Sequence, residues 1–294
     1  MNAAFTLNSL DFTSLAGSFT INGDAANRFI NMRGHITNSS TATQTINTQL
    51  RYPTGSGTGT FTIGGSGNIL LSKEVRSGTG VTVNVVGTGT VTLSGQSLAF
   101  DGALTTTGSS NLEIANTVVV GNYLNNGSLF VKNNFVISGS MTLNNSGTVS
   151  FTVPADPLEV NTIVYNAGSS YGGTLNVNLS GTYANTGTSP TLVNPTSFQL
   201  FDAAHELATG GFTTVTGSYA GTNLVFTESM TEPGYWYSNA IGGGPQDGQY
   251  LTFDEETGML LVVPEPPALV IAGVGVALAG WRMARRRKGG EPSA

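Results

Sequence analysis

The chain has 294 residues, of which 10% are charged and 40 are glycine, a composition typical of neither a cytosolic enzyme nor a disordered acidic tail. Residues 1–263 carry 15 Asp or Glu but only 6 Lys or Arg, which argues against nucleic-acid binding because phosphate contacts need cations. The absence of cysteine excludes disulfides, thiol nucleophiles and Cys-based zinc sites.

Residues 5–155 consist of short alternating runs that Gly, Asn and Ser interrupt. Apolar residues alternate with Thr in residues 57–63, and the pattern returns in residues 87–93, as expected for strands with one buried face. A second echo relates residues 124–129 to residues 143–148, a spacing of about 20 residues that is typical of one solenoid coil. The repeat unit is therefore predicted to be one coil.

The predicted fold is all-β, a right-handed parallel β-helix (solenoid) with a C-terminal cap. In this fold Val, Leu, Ile and Phe fill an elongated core, Gly and Asn take the corners, and Thr and Ser face water. An antiparallel sandwich with a similar number of strands is the alternative, because strand spacing alone does not separate the two folds. Hairpin signals such as Asn-Gly are few, which favours the solenoid.

Residues 36–47, together with the Gly-Thr-Val-Thr-Leu-Ser-Gly segment that ends at Gly95, resemble the autotransporter-associated β-strand repeat of bacterial surface proteins. The similarity runs over about residues 5–155. It implies a β-helix like that of an autotransporter passenger. A self-secreting autotransporter would require a C-terminal membrane barrel of amphipathic strands, and a tail of a different kind is expected in its place here.

The composition of the sequence changes near Pro154, where prolines interrupt the regular pattern and aromatic residues become frequent. The domain prediction is a β-helix repeat region over residues 1–195, terminal coils and a cap over 196–262, and a separate tail over 263–288. Tyr235, Trp236 and Tyr237 are expected to pack in the cap, and a sugar-stacking platform is the alternative. The last strands are predicted at 249–253 and 259–263, with residues 254–256 in a solvated acidic turn.

No catalytic or metal-binding pattern is recognisable in the body of the chain, so no catalytic residue, no metal and no cofactor is predicted. His205 has Thr209 four residues later, which fails the zinc-protease helix pattern, and His35 is the only other histidine. The alternative is a polysaccharide lyase or glycoside hydrolase, in which carboxylates converge across coils. The candidate carboxylates for that chemistry are Asp101, Glu113, Asp156 and Glu159.

The tail contains a Pro-Glu-Pro motif, an apolar run from Ala268 to Trp281, and a basic flank. A helix over the apolar run would suit lipid, and the positive-inside rule keeps the basic flank cytoplasmic, so the body is predicted to be exported. Fourteen residues at about 1.5 Å each span about 21 Å, less than the hydrocarbon core of about 30 Å. A transient, cleaved span and a permanent anchor both remain open. The flank residues are Arg282, Arg285, Arg286, Arg287 and Lys288.

Residues 263–288 resemble the PEP-CTERM sorting signal of Gram-negative bacteria that make exopolysaccharide. The resemblance implies that Pro264, Glu265 and Pro266 are recognised by an exosortase-type membrane protease, with a single span of the inner membrane before processing. It also implies a final location at the cell surface or in the extracellular matrix. The motif departs from the family pattern at Pro267 and Ala268, where Ser or Thr often follows.

The functional prediction is an exported structural or adhesive protein of the exopolysaccharide or biofilm matrix, with exopolysaccharide as a partner and without enzymatic activity. The alternative is a polysaccharide-binding or polysaccharide-degrading β-helix enzyme. A signal peptide has a basic region followed by an apolar run, and residues 1–8 have neither. The true amino terminus is therefore expected upstream of Met1.

Overall fold

The structure is a computed structural model that describes ten stretches of the chain. These stretches are residues 5–23, 29–52, 58–96, 98–153, 161–166, 168–179, 197–203, 209–219, 222–239 and 250–263. In these stretches the chain forms thirty β-strands and no helix. No helix in this part of the chain is long and apolar enough to cross a membrane.

The strands are short and follow one another at close intervals. The first fifteen are β1 Phe5–Leu7, β2 Leu10–Phe12, β3 Phe19–Asn22, β4 Phe29–Met32, β5 Ile36–Asn38, β6 Gln44–Asn47, β7 Gln49–Arg51, β8 Gly59–Gly65, β9 Ile69–Leu71, β10 Val75–Ser77, β11 Val81–Gly87, β12 Thr90–Leu93, β13 Leu98–Thr106, β14 Asn111–Ile114 and β15 Val118–Asn125. The others are β16 Ser128–Val131, β17 Phe135–Ile137, β18 Met141–Leu143, β19 Thr148–Val153, β20 Ile163–Tyr165, β21 Ser169–Tyr171, β22 Thr174–Leu179, β23 Ser197–Gln199, β24 Phe201–Ala203, β25 Thr209–Gly210, β26 Thr214–Tyr219, β27 Thr222–Glu228, β28 Tyr235–Ser238, β29 Tyr250–Asp254 and β30 Met259–Val263.

Parallel pairing between successive coils organises the chain from β1 to β26, apart from β23. In most coils the first two strands join a first sheet and the third strand joins a second sheet, whereas β13 and β15 each replace such a pair with one longer strand. In the second sheet β3, β6, β9 and β12 are therefore neighbours. Coil length varies, because Asn111 lies opposite Ser128 across a short coil, whereas Thr174 lies opposite Thr214 across a much longer one. This parallel architecture is compatible with a β-helix and contradicts the antiparallel-sandwich alternative.

The two sequence echoes have different structural meanings. Residues 124–129 and 143–148 lie in adjacent coils, since Ser128 pairs with Thr148 of the next coil, as predicted. Residues 59–63 and 90–93 of this pair do not stack, because they lie in β8 of the first sheet and in β12 of the second. Their similarity reflects a strand chemistry that both sheets share.

Inward-facing side chains stack in continuous columns along the second sheet. Each residue of one column lies directly opposite the next, and all are at most 1% exposed: Ile46, Leu71, Leu93, Ile114, Val131, Phe151 and Val177. Burying one such side chain stabilises a fold by about 1.5–3 kcal/mol relative to leaving it exposed. The period-2 alternation of the sequence therefore corresponds to the core face.

Polar side chains and glycines close the corners between strands. The buried amide of Asn125 donates from Nδ2 to the Thr148 carbonyl at 3.1 Å and accepts at Oδ1 from Thr106 Oγ1 at 2.6 Å, so it joins neighbouring coils. Gly87 has φ of +85°, and a Cβ added there would lie 2.1 Å from the Gly65 carbonyl oxygen. Only glycine fits this turn without displacing the coil beneath it.

An antiparallel section follows the last parallel coil. β26 pairs antiparallel with β27, and β27, β28, β29, β30 and β23 continue the second sheet in that order. Its inner face packs on aromatic residues of the final coils, where the Tyr171 ring centroid lies 5.0 Å from those of Phe201 and Phe212. Phe253 of β29 completes this cluster, 6.1 Å from Phe212.

Truncation of a column residue tests whether the stacked core carries the stability of the fold. Leu112 of β14 is fully buried in a second column, between Val91 and Leu129, and we expect Leu112→Ala to lower the free energy of unfolding by about 2–5 kcal/mol in urea denaturation. Thr92→Ala, at a half-exposed position of β12, is the matched control and should cost less than about 0.5 kcal/mol. Equal losses in the two variants would contradict the column.

Candidate functional site

The residues predicted to carry sorting lie outside the described part of the chain. This applies to the motif Pro264, Glu265 and Pro266, to the span from Ala268 to Trp281, and to the basic flank Arg282, Arg285, Arg286, Arg287 and Lys288. Their roles therefore remain predictions from the sequence.

The carboxylates considered for polysaccharide cleavage are not brought together where the structure describes them. Asp101 lies in β13 of the first sheet, and Glu113 lies in β14 of the second sheet. Glu113 forms an ion pair with Lys132, with Oε2 to Nζ at 2.7 Å. Asp156 and Glu159 lie outside the described residues.

Histidines and acidic residues form no metal site in the described stretches. No group of three or more His, Asp or Glu side chains that could hold a metal ion occurs there. His35 pairs instead with Asp11, with Nε2 to Oδ1 at 3.1 Å, on the exposed surface of the first coils. His205 lies outside the described residues.

The Tyr235–Trp236–Tyr237 triplet divides between the two faces of β28. Strand alternation places Trp236 on the inner face, where it is 5% exposed, and its Nε1 donates to Glu255 Oε1 at 2.8 Å. Tyr235 and Tyr237 therefore lie on the outer face. All three residues were expected to pack inside the terminal section. Trp236 does so, whereas Tyr235 and Tyr237 point away from the core.

Glu255 is a buried carboxylate, so the prediction of a solvated acidic turn was wrong at this residue. It is 8% exposed and accepts at Oε1 from both Trp236 Nε1 and the Phe212 backbone N–H, the latter at 2.9 Å. Burial raises the pKa of the Glu255 carboxyl, while these two hydrogen bonds oppose the rise and the charges of Glu228 and Asp254 add to it. Glu255 thus links the final coil to the antiparallel section.

Asp254 keeps the turn beside Glu255 in shape. Its Oδ1 accepts from the Glu256 backbone N–H and its Oδ2 accepts from Thr257 Oγ1, both at 2.9 Å. Gly258 completes the turn with φ of +67°. Asp254 therefore stabilises the backbone of this turn, as Asp does in many turns.

Three tyrosines form an outward surface on β28 and β29, which we call the tyrosine face: Tyr235, Tyr237 and Tyr250. The ring centroids of Tyr235 and Tyr237 are 4.9 Å apart with planes at 57°, and those of Tyr237 and Tyr250 are 6.5 Å apart at 45°. Tyr237 is the most open of the three, at 39% exposed. Sequence reasoning missed Tyr250, because only the strand pairing shows that it lies beside Tyr237.

Two acidic side chains, Glu232 and Asp254, lie near the tyrosine face. Asp254 lies directly opposite Tyr235 in the β28–β29 register. Burial, with smaller contributions from Tyr235 and Glu232, raises the pKa of Tyr237 to about 12, so its hydroxyl is neutral near pH 7. Residues 197–263 contain eight Asp or Glu and no Lys or Arg. The surface is therefore aromatic, neutral at its hydroxyls and negative at its border.

The tyrosine face has the chemistry of a binding surface. Its rings offer flat apolar faces and its hydroxyls donate and accept hydrogen bonds.

Comparisons of the chain with protein-family models, with curated proteins and with solved structures found no match. The chemistry of the described residues and the sequence patterns therefore carry the functional argument.

The buried carboxylate generates a pH prediction. Because the folded-state pKa of Glu255 is raised, the folded protein binds more protons than the unfolded chain between the two pKa values, and stability falls as pH rises through that window. Glu255→Gln removes this titration and keeps the Oε1 acceptor. We expect the stability of the wild type, relative to this variant, to decrease as pH rises above the ordinary glutamate pKa, measured by urea denaturation.

Glu255→Ala separates the acceptor role from the titration. This variant leaves the N–H groups of Trp236 and Phe212 without their acceptor, so we expect a loss of about 1–3 kcal/mol relative to Glu255→Gln that persists across the pH range. A pH-independent difference between the wild type and Glu255→Gln would contradict the buried-carboxylate interpretation.

Proposed function

We propose that this chain is an exported, surface-associated structural protein of an exopolysaccharide or biofilm matrix, sorted by a PEP-CTERM signal at residues 263–288. The observation that carries the proposal is the order of three elements in the tail: a Pro-Glu-Pro motif, an apolar run and a basic flank. The apolar run suits lipid and the basic flank suits the cytoplasmic side of the membrane. Together they support a location of the body outside the inner membrane.

In this proposal an exosortase-type membrane protease recognises Pro264, Glu265 and Pro266 while the segment from Ala268 to Trp281 holds the chain in the inner membrane. Cleavage then releases the body to the cell surface or the matrix. The short apolar run supports this order of events, because about 21 Å of helix spans less than the hydrocarbon core of about 30 Å.

We propose that the body is a right-handed solenoid and that the antiparallel section β27–β30 with β23 is its cap. Support for the hand comes from the strong preference of parallel crossovers for right-handed connections. Support for the cap comes from its position at the end of the second sheet, where an uncovered edge would invite aggregation. A stiff, capped rod suits a matrix component.

Polar ladders on the outside of the coils support a scaffold role. Asn47 donates from Nδ2 to Asn22 Oδ1 at 2.9 Å, and Ser72 Oγ donates to Asn47 Oδ1 at 3.1 Å. Ser218 Oγ repeats this arrangement on Asn178 Oδ1 at 2.8 Å in the final coil. Such ladders satisfy outward side chains without net charge and leave hydroxyl and amide groups for a hydrated glycan matrix.

The second candidate function is polysaccharide binding or degradation. The tyrosine face favours binding, because aromatic faces stack on sugars. Degradation finds less support, since Asp101 and Glu113 lie in different sheets whereas hydrolysis requires two carboxylates within about 5–10 Å across one cleft. A lyase would still degrade an acidic glycan after removal of residues 264–294, and a structural protein would not.

Replacement of the motif tests the sorting proposal. We expect the triple variant Pro264→Ala, Glu265→Ala and Pro266→Ala to lose surface display, measured by accessibility of an epitope in the body to antibody on intact cells. Pro154→Ala with Pro157→Ala is the control, because it removes prolines outside the tail. Display of the triple variant at the wild-type level would overturn the proposed sorting route.

A further inference from the structure

The tyrosine face combines tilted aromatic rings with nearby carboxylates, and both features favour a positively charged ligand. Its rings are tilted at 57° and 45° and so form an aromatic corner rather than one flat platform. The negative face of each exposed ring in this corner attracts a cation placed above it. This geometry differs from the coplanar surface that stacking of a single neutral ring would favour.

Carboxylates lie next to the same corner. The Glu232 charge acts on both Tyr235 and Tyr237, and the Asp254 charge acts on Tyr235. Asp254 is held in place by its hydrogen bonds to residues 256 and 257 of the turn, so its charge is fixed relative to Tyr235. A positively charged group above the rings would therefore gain both cation–π and Coulomb attraction.

The negative charge of the terminal region disfavours an anionic ligand. Residues 133–263 contain no Lys or Arg, so this region offers no cationic side chain to a uronate, sulfate or phosphate group. A negatively charged glycan would instead meet Glu232, Asp254 and their acidic neighbours. Repulsion between like charges weakens such a complex.

We propose that the tyrosine face binds a glycan that carries free amino groups, namely an amino-sugar polymer. This inference rests on the proposed matrix function and names the class of glycan that the terminal sheet takes. The ammonium groups lie over the rings of Tyr235, Tyr237 and Tyr250, and Glu232 supplies the nearby counter-charge. Ring hydroxyls of the tyrosines exchange hydrogen bonds with sugar hydroxyls.

Three oligosaccharides of equal length test the proposal by titration calorimetry with the full chain at pH 6. A glucosamine hexamer is the cationic probe, an N-acetylglucosamine hexamer has the same backbone without charge, and a galacturonate hexamer is anionic. We expect the glucosamine hexamer to bind at least about tenfold more tightly than the acetylated one, and the galacturonate hexamer to bind most weakly. Added salt should weaken glucosamine binding.

Variants locate the site on the protein. Tyr237→Ala should weaken glucosamine binding about five- to tenfold, and Tyr237→Phe, which keeps the ring, should retain most of the affinity. Glu232→Gln removes a charge without removing an aromatic ring, so it reports on binding even if Tyr237→Ala lowers stability. We expect a several-fold loss from Glu232→Gln and a weaker salt dependence.

Matched controls lie on the first sheet, away from the terminal section. Val119→Ala removes an exposed apolar side chain from β15, and Asp11→Asn removes an exposed charge from β2. Both variants should bind the glucosamine hexamer as the wild type does. A loss in either control as large as that of Tyr237→Ala would show that binding is not local to the tyrosine face.

Several outcomes overturn the proposal. Equal affinity for the acetylated and free-amine hexamers would refute the amino-sugar class, and unchanged binding by Tyr237→Ala and Glu232→Gln would refute the site. Binding of none of the three probes would refute both. The proposed matrix function has a separate test, namely whether surface display depends on the sorting motif. A protein that is displayed correctly but does not bind the glucosamine hexamer would refute this inference alone.

Discussion

Register between coils is the constraint on which the rest of the structure depends. Most inward side chains of the second sheet lie directly over an apolar side chain of the coil before them, as Leu93 lies over Leu71 and under Ile114. Coils of very different length keep this register, since Asn111 lies opposite Ser128 across a short coil and Thr174 lies opposite Thr214 across a long one. Buried amides such as Asn125, and glycines such as Gly87, stabilise the corners between the strands of a coil.

A stack of parallel strands needs a different structure at its end, since the last coil has an unpaired edge. Here the chain reverses at β26 and β27, and an antiparallel section continues the second sheet. Glu255 fastens that section to the final coil through Trp236 and Phe212, at the cost of burying a carboxylate. The alternation that buries Trp236 necessarily turns Tyr235 and Tyr237 outward, so a single strand serves both packing and the outer surface.

Much of the architecture could be predicted from the sequence, because the alternation of residues is local information. The strand chemistry, the all-β class and the adjacency of residues 124–129 and 143–148 follow from it. Long-range register does not, so the similarity of residues 57–63 and 87–93 suggested a repeat although these segments lie in different sheets. For the same reason the burial of Glu255 and the place of Tyr250 beside Tyr237 were accessible only from the strand pairing.

The proposed export would connect the parallel-stranded body to its proposed role, because outward polar ladders and an aromatic terminal face serve a matrix only outside the cell. The intact mass of the native protein, measured separately in the inner-membrane and surface fractions, tests this connection most directly. A surface species that lacks the segment from Ala268 to Lys288 is the predicted result. An uncut species that retains Arg285, Arg286, Arg287 and Lys288 in the inner membrane would contradict it and would indicate a permanent anchor.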